Sequence, residues 1–173
     1  FHPWVDSDTY PLKLGALDLD IGLCPLVENT FNMGKSNLKQ IEYGAYSVPS
    51  IVSDFKFSPY GPPEGMSVSD YERASGCLVV DNGTKQSESD VEQDWFNAME
   101  KLINDAQLRK EFGNAARDYV YENFNIEHNW RYWASCYEST GKRIFTPEVP
   151  GRKASGPDRQ QQDHAADGLY RDA

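Results

Sequence analysis

An α/β fold, with a parallel sheet in its first half and helices in its second, is what the sequence predicts, on three observations. Residues Asp18 to Asp54 read as strand, long loop, short helix, strand. A second compact apolar run, Cys77-Leu78-Val79-Val80, is flanked by Gly76 and by Asp81-Asn82-Gly83. Beyond Ser89, apolar residues recur at helical spacing in three successive stretches. Together these describe a partial Rossmann-like parallel sheet followed by carboxyl-terminal helices.

Taken in order, Phe1 to Asp8 reads as the end of an earlier strand and loop. Thr9 or Asp8 can cap a short helix with Pro11 near its first turn, and Leu12, Leu14 and Leu17 give it an apolar side. Asp20 to Leu23, closed by Pro25, predicts a buried parallel strand. Asn29, Thr30, Asn32 and Gly34 form the following loop. Ser36 or Asn37 can then cap a helix running to about Ala45. Pro49 resets the chain, and Ile51–Val52 form the next strand. Phe55 to Gly65, rich in Pro and Gly, predicts a loop, and Ser67 to Arg73 a helical turn.

Ser89 and Glu92 have capping-box spacing. They open a helix in which Val91, Trp95, Met99, Leu102 and Ile103 recur through Asn104. A second helix starts at Asp105, with Leu108, Phe112, Ala116, Tyr119 and Val120 on one side. Asn125 can cap a third, whose stripe of Ile126, Trp130, Trp133 and Tyr137 predicts core packing. The domain is expected over residues 1–140. Residues 141–173, rich in Pro, Gly, Gln and Asp, are expected to be a disordered tail.

A chain of 173 residues, 39% hydrophobic and 13% aromatic, can bury a core of one ordinary domain. Its formal charge of −10 argues against a general nucleic-acid binder. No apolar run approaches the ~20 residues that span a bilayer, and Phe1-His2-Pro3-Trp4 lacks a signal-peptide pattern. A start without Met reads as a piece of something longer. Cys24, Cys77 and Cys136 are far apart and form no CxxC pair, so reduced thiols in a cytosolic protein are expected. His2, His128 and His164 are equally scattered, and no metal site is expected. Asn82-Gly83-Thr84 matches a glycosylation sequon that arises commonly by chance.

The chemistry concentrates in the β-loop-α-β unit. In open α/β sheets ligands bind beyond the carboxyl ends of the strands. A helix amino terminus there offers free N–H groups and positive dipole character to a phosphate. Lys35 and Lys39, four apart, share a helical face and could neutralise a diphosphate, or simply be solvated. Ser36 and Asn37 could donate backbone N–H groups, or cap the helix. Glu42 falls between Ile41 and Tyr43-Gly44-Ala45, near a buried helix side, where an ionised group needs partners. A ribose diol is one such partner. Neither a Gly-x-Gly-x-x-Gly fingerprint nor a P-loop sequence is present.

The order DIGLCPL, FNMGKSNLKQIEYGAYSVPSIVSD, GCLVVDN and FNIEHNWRYW resembles the carboxyl-terminal, donor-binding domain of GT-B glycosyltransferases of the group 1 type, in a K-S-x-x-K-x-x-E-Y variant. The resemblance covers most of Phe1 to about Thr140. It implies a retaining, metal-independent transfer of a sugar from a nucleotide-diphosphate donor to the hydroxyl of a glycan or lipid-linked acceptor. The donor is a substrate, and no cofactor is implied. It also implies an amino-terminal domain outside this sequence, a cytoplasmic or peripheral membrane location, and an inactive fragment when this domain stands alone. The family motif pairs two glutamates. The second aligns with Glu42 and implies a ribose contact. Ser36, Asn37 and Leu38 fall where backbone N–H groups meet the diphosphate. The first glutamate falls at Gly34, leaving neighbouring Lys35 or Glu28 as substitutes. Pro49 matches a Gly-x-Pro turn in which Ser47 replaces the glycine. No catalytic residue is assigned. Two rival readings stand beside this one: a non-catalytic α/β nucleotide- or partner-binding domain, and a structural remnant.

Overall fold

The computed structural model describes residues 3–82 and 87–144. These residues fall into two units, one ending at Tyr132 and one beginning at Trp133. The first contains α1 (Tyr10–Gly15), β1 (Gly22–Cys24), α2 (Thr30–Met33), α3 (Leu38–Ala45), β2 (Ser50–Asp54), α4 (Val68–Ser75), β3 (Cys77–Asp81), α5 (Glu88–Asn104) and α6 (Ala106–Phe124). α7 (Ile126–Ile144) begins in it and ends in the second.

The three strands form one parallel sheet in the order β1-β2-β3. Leu23 stands opposite Ile51, and Ile51 opposite Leu78. Successive side chains of a strand point to opposite faces, and both faces of β2 and β3 are covered, whereas Leu23 of β1, expected in a buried strand, is 41% exposed. Cys24, Val52 and Cys77 pack with Tyr60 and Tyr71 on one side. Ile51, Leu78 and Val80 pack with Leu102 on the other, joined by Trp95, Met99, Leu108 and Phe112. This two-sided burial is why β3 reads as a continuous apolar run and why the adjacent Ile51 and Val52 of β2 are both buried. α3 lies close along α6 because Gly44 has no side chain. A Cβ there would stand 2.7 Å from Val120 Cγ2 and 2.9 Å from the Ala116 carbonyl oxygen.

Several element boundaries differ from the sequence expectation. β1 starts at Gly22, whose N–H donates to the Pro49 carbonyl at 2.9 Å, and Asp20 stays outside the ladder. α4 is a full two-turn helix. Ser67 Oγ accepts from Asp70 N at 3.1 Å to start it, and Gly76 in left-handed conformation ends it. The capping box of α5 is Ser87 with Asp90, not Ser89 with Glu92. Ser87 Oγ accepts from Asp90 N at 3.3 Å, and Asp90 Oδ2 accepts from Ser87 N at 3.2 Å. A short aspartate closes the box as a glutamate would.

The larger correction concerns α7. Ile126 is 61% exposed and Trp130 53%, and Trp133 and Tyr137 are exposed as well, so this stripe is not core packing. Periodicity identifies an apolar stripe but not what covers it; the sheet is already covered by α3, α4 and α5, with Leu108 and Phe112 of α6 packed against its core. Residues 141–144, placed in the expected tail, continue α7; the remainder of that tail lies outside the described residues, as do Gly83 and Thr84 of the sequon.

β3 is an edge strand, and its outer edge is partly closed by a side chain. Glu72 of α4 accepts a hydrogen bond from Val79 N at 2.8 Å. A partly buried donor left without its acceptor costs roughly 1–3 kcal/mol. Glu72→Ala is therefore expected to lower the unfolding free energy by about 1–2 kcal/mol, read as a lower urea midpoint at unchanged slope. An unchanged midpoint would show that water replaces the carboxylate without loss.

Candidate functional site

The loop after β1 is folded by its own amides. Asn29 Oδ1 accepts from Asn32 N at 2.8 Å and caps α2, while Asn32 Nδ2 donates to the Val27 carbonyl at 2.8 Å. This brings Lys35, Ser36 and Asn37 to the point where α3 begins. Asn37 is the N-cap of α3 but makes no capping bond through its side chain. The first-turn N–H groups of α3 are thus not satisfied from that side chain, as they are at α4 and α5.

A recess of roughly 370 Å³ opens at this place, lined by Pro25, Leu26, Lys35, Ser36, Leu38, Lys39 and Tyr60. Pro25 and Leu26 immediately follow β1, so the recess lies at the carboxyl end of that strand. Lys35 and Lys39 are exposed. Lys35 Nζ stands 5.0 Å from the centroid of the Phe31 ring. Four of the six residues expected to hold a ligand, Lys35, Ser36, Leu38 and Lys39, therefore line one cavity, with Asn37 between them in the chain.

Glu42 is not in that cavity. It lines a second recess of roughly 370 Å³ with Tyr10, Pro11, Leu14, Ile41, Ala45 and Tyr46, between α3 and α1. The separation follows from helix geometry. Gln40 and Gly44 are buried, and Tyr43 lies against Gly22 of β1. Glu42 is thereby turned toward α1, where its Oε2 accepts from Tyr10 Oη at 3.0 Å. The partner that a half-buried carboxylate needs is thus a tyrosine of the chain itself. That hydroxyl is held above its ordinary pKa by burial and by its bond to Glu42. Leu38 and Glu42, four apart, are neighbours on the helix surface, so the two recesses sit about one turn from each other along α3.

Sequence reasoning missed the polar network that braces the first recess. Ser53 Oγ accepts from Leu26 N at 2.8 Å. Asn82 Nδ2 donates to the Leu26 carbonyl at 2.8 Å and to Ser53 Oγ at 3.0 Å. Trp95 Nε1 donates to Asn82 Oδ1 at 3.2 Å. One polar residue at the end of each of β2 and β3 thus fixes the wall formed after β1. The available signal was Ser53 and Asn82 themselves, polar residues at the carboxyl ends of apolar runs. Asn82, the sequon residue, has its amide engaged inside the fold.

Asp54, also at the end of β2, stands opposite Asp81 in the strand register. Burial first, and then the neighbouring Asp81 carboxylate, raise its pKa. A carboxyl with a raised folded-state pKa favours the fold most below its unfolded pKa. That contribution is lost as pH rises through the folded value. Asp54→Asn, which keeps the shape without the charge, is expected to raise the melting temperature at pH 7 and to have little effect at pH 3. Equal effects at both pH values would contradict this.

The buried thiols are poor nucleophiles at neutral pH. Burial pushes Cys24 and Cys77 up to about 12. Among the described residues, no group of His, Cys, Asp and Glu side chains is placed to hold a metal ion, and no helix is long and apolar enough to cross a membrane. Compared with known proteins, the chain matches no family model, no curated protein and no solved structure.

Proposed function

We propose that the recess at the amino end of α3 holds the diphosphate of a nucleotide-diphosphate sugar. On this reading the chain is the donor-binding part of a retaining GT-B glycosyltransferase of the group 1 type. One observation carries the reading: two lysines and a helix start without a side-chain cap open on a single cavity at the carboxyl end of a parallel strand. Such a place suits an anion through its free N–H groups and dipole. Lys35 and Lys39 add charge. The same groups would stabilise the negative charge that develops on a departing diphosphate as the sugar moves to an acceptor hydroxyl. The acceptor, a glycan or a lipid-linked saccharide, and the catalytic groups facing it belong on this reading to an amino-terminal domain outside this sequence. The enzyme would work in the cytoplasm or at the membrane surface.

A second reading, a non-catalytic α/β nucleotide-binding domain, is favoured by two observations. Gly34 stands where the family pattern has its first glutamate, and Glu42 lies outside the lysine recess. Calorimetric titration with pyrophosphate, UDP-sugars and GDP-sugars tests both. Saturable binding is expected. Its absence for every anion would overturn the diphosphate site and both readings. Transfer of the sugar to an acceptor hydroxyl, with release of the nucleoside diphosphate, by this chain joined to the amino-terminal domain that the first reading requires would decide for the transferase.

A further inference from the structure

The recess between α1 and α3 is built differently from the lysine recess beside it. Its floor is apolar, made by Pro11, Leu14, Ile41 and Ala45. Two aromatic residues, Tyr10 and Tyr46, border it, each 40% exposed. Both are fixed at their far ends: Tyr10 Oη donates to Glu42, and Tyr46 Oη donates to the Pro11 carbonyl at 2.6 Å. The Tyr46 ring also lies along Gly15, where a Cβ would meet its Cδ1 at 2.9 Å. The rings are therefore held before any ligand arrives, which lowers the entropy cost of binding. Among the described residues, Glu42 supplies the charge that lines the recess. A carboxylate has about four acceptor sites, so its bond from Tyr10 leaves capacity for hydroxyl donors.

A volume of roughly 370 Å³ lies within the range of small-ligand sites, about 300–1,000 Å³. An apolar floor, aromatic borders and a carboxylate suit a planar ring joined to a hydroxylated one, and do not suit a bare phosphate. The lysine recess, about one helical turn away, carries the opposite charge, from Lys35 and Lys39. We infer that Tyr10 and Tyr46 are the specificity-determining residues for the nucleoside half of the ligand. The base packs against their rings, while the phosphates occupy the Lys35–Lys39 recess. This inference rests on the diphosphate reading and adds which residues recognise the nucleoside.

The experiment titrates the full chain with inorganic pyrophosphate, UDP and GDP, for the parent and for Tyr10→Ala, Tyr46→Ala and Tyr10→Phe. At least one nucleoside diphosphate is expected to bind tenfold or more tightly than pyrophosphate. Both alanine variants should lose that advantage while keeping the parent affinity for pyrophosphate, and Tyr10→Phe, which keeps the ring, should retain most of it. Retained pyrophosphate binding also reports that each variant is folded. Nucleoside diphosphates that bind no better than pyrophosphate would overturn the inference and leave the diphosphate site standing. Alanine variants that keep the full advantage would overturn it in the same way. No binding of pyrophosphate or nucleotide by the parent would overturn both.

Discussion

Gly76→Ala is expected to destabilise the fold by about 3 kcal/mol or more, and to lower the melting temperature by on the order of 10 °C. Two costs add. Gly76 ends α4 at φ 63°, ψ 33°, a left-handed conformation that costs a residue with a Cβ about 1–2 kcal/mol. The Cβ would also run into the Phe112 carbonyl oxygen and the Ala116 nitrogen of α6, and stand 2.8 Å from Ala116 Cβ. Two of these three atoms are backbone, so no rotamer change relieves the overlap. α6 must move away from the sheet, and Ala116 is part of the buried core. Thermal or urea unfolding followed by circular dichroism reads the effect. A melting temperature within 2 or 3 °C of the parent (about 1 kcal/mol on this scale) would mean that α6 is not held as described.

Removing both lysines is expected to have the largest effect on binding. In Lys35→Ala/Lys39→Ala, pyrophosphate affinity should fall roughly 100-fold, since hydrogen bonds to charged groups are worth about 1.5–3 kcal/mol each and a tenfold change is about 1.4 kcal/mol. Both side chains are exposed and neither belongs to the core, so the unfolding curve should stay within experimental error of the parent. The parent affinity should weaken as salt rises, because charges at an open recess are screened over about 10 Å at 0.1 M salt. The double variant should show a shallower salt dependence. An unchanged affinity would separate the lysines from the site.

Much of this architecture was legible because it is written in local patterns. The apolar run of β3, punctuated by Gly76 and Asp81-Asn82, falls where the strand falls. The helical spacing of Val91, Trp95, Met99 and Leu102 marks the face of α5 that packs on the sheet. Leu108, Phe112 and Ala116 do the same for α6. Ile103, expected on the same face, is instead 62% exposed, because a stripe one residue wider than the contact spills over its rim. The aromatic stripe of α7 shows the limit of periodicity more clearly. Its spacing is that of a buried face, yet burial depends on a second surface that the spacing does not contain.

The site was legible in part for a similar reason. Lys35, Ser36, Leu38 and Lys39 are close in sequence, so the turn that joins them also brings them to one recess. Glu42 is only a turn further, but its direction is set by Gly22, Gly44 and the arrival of α1, all matters of tertiary packing. Tyr60 and Asn82 reach the same neighbourhood from other loops, and no local pattern announces them. Tyr10 and Tyr46 were ordinary aromatic residues in the sequence until the fold set them in one recess with a carboxylate.

Everything proposed about ligands depends on an anion seated at the start of α3. The most direct measurement is a set of proton–nitrogen correlation spectra of the uniformly labelled chain during addition of pyrophosphate at low salt. The backbone amide signals of Ser36, Asn37, Leu38 and Lys39 should shift furthest and saturate together, with Tyr10 and the amides of α5 nearly still. Largest shifts at another helix start, or no saturable movement of those four amides, would contradict the assignment.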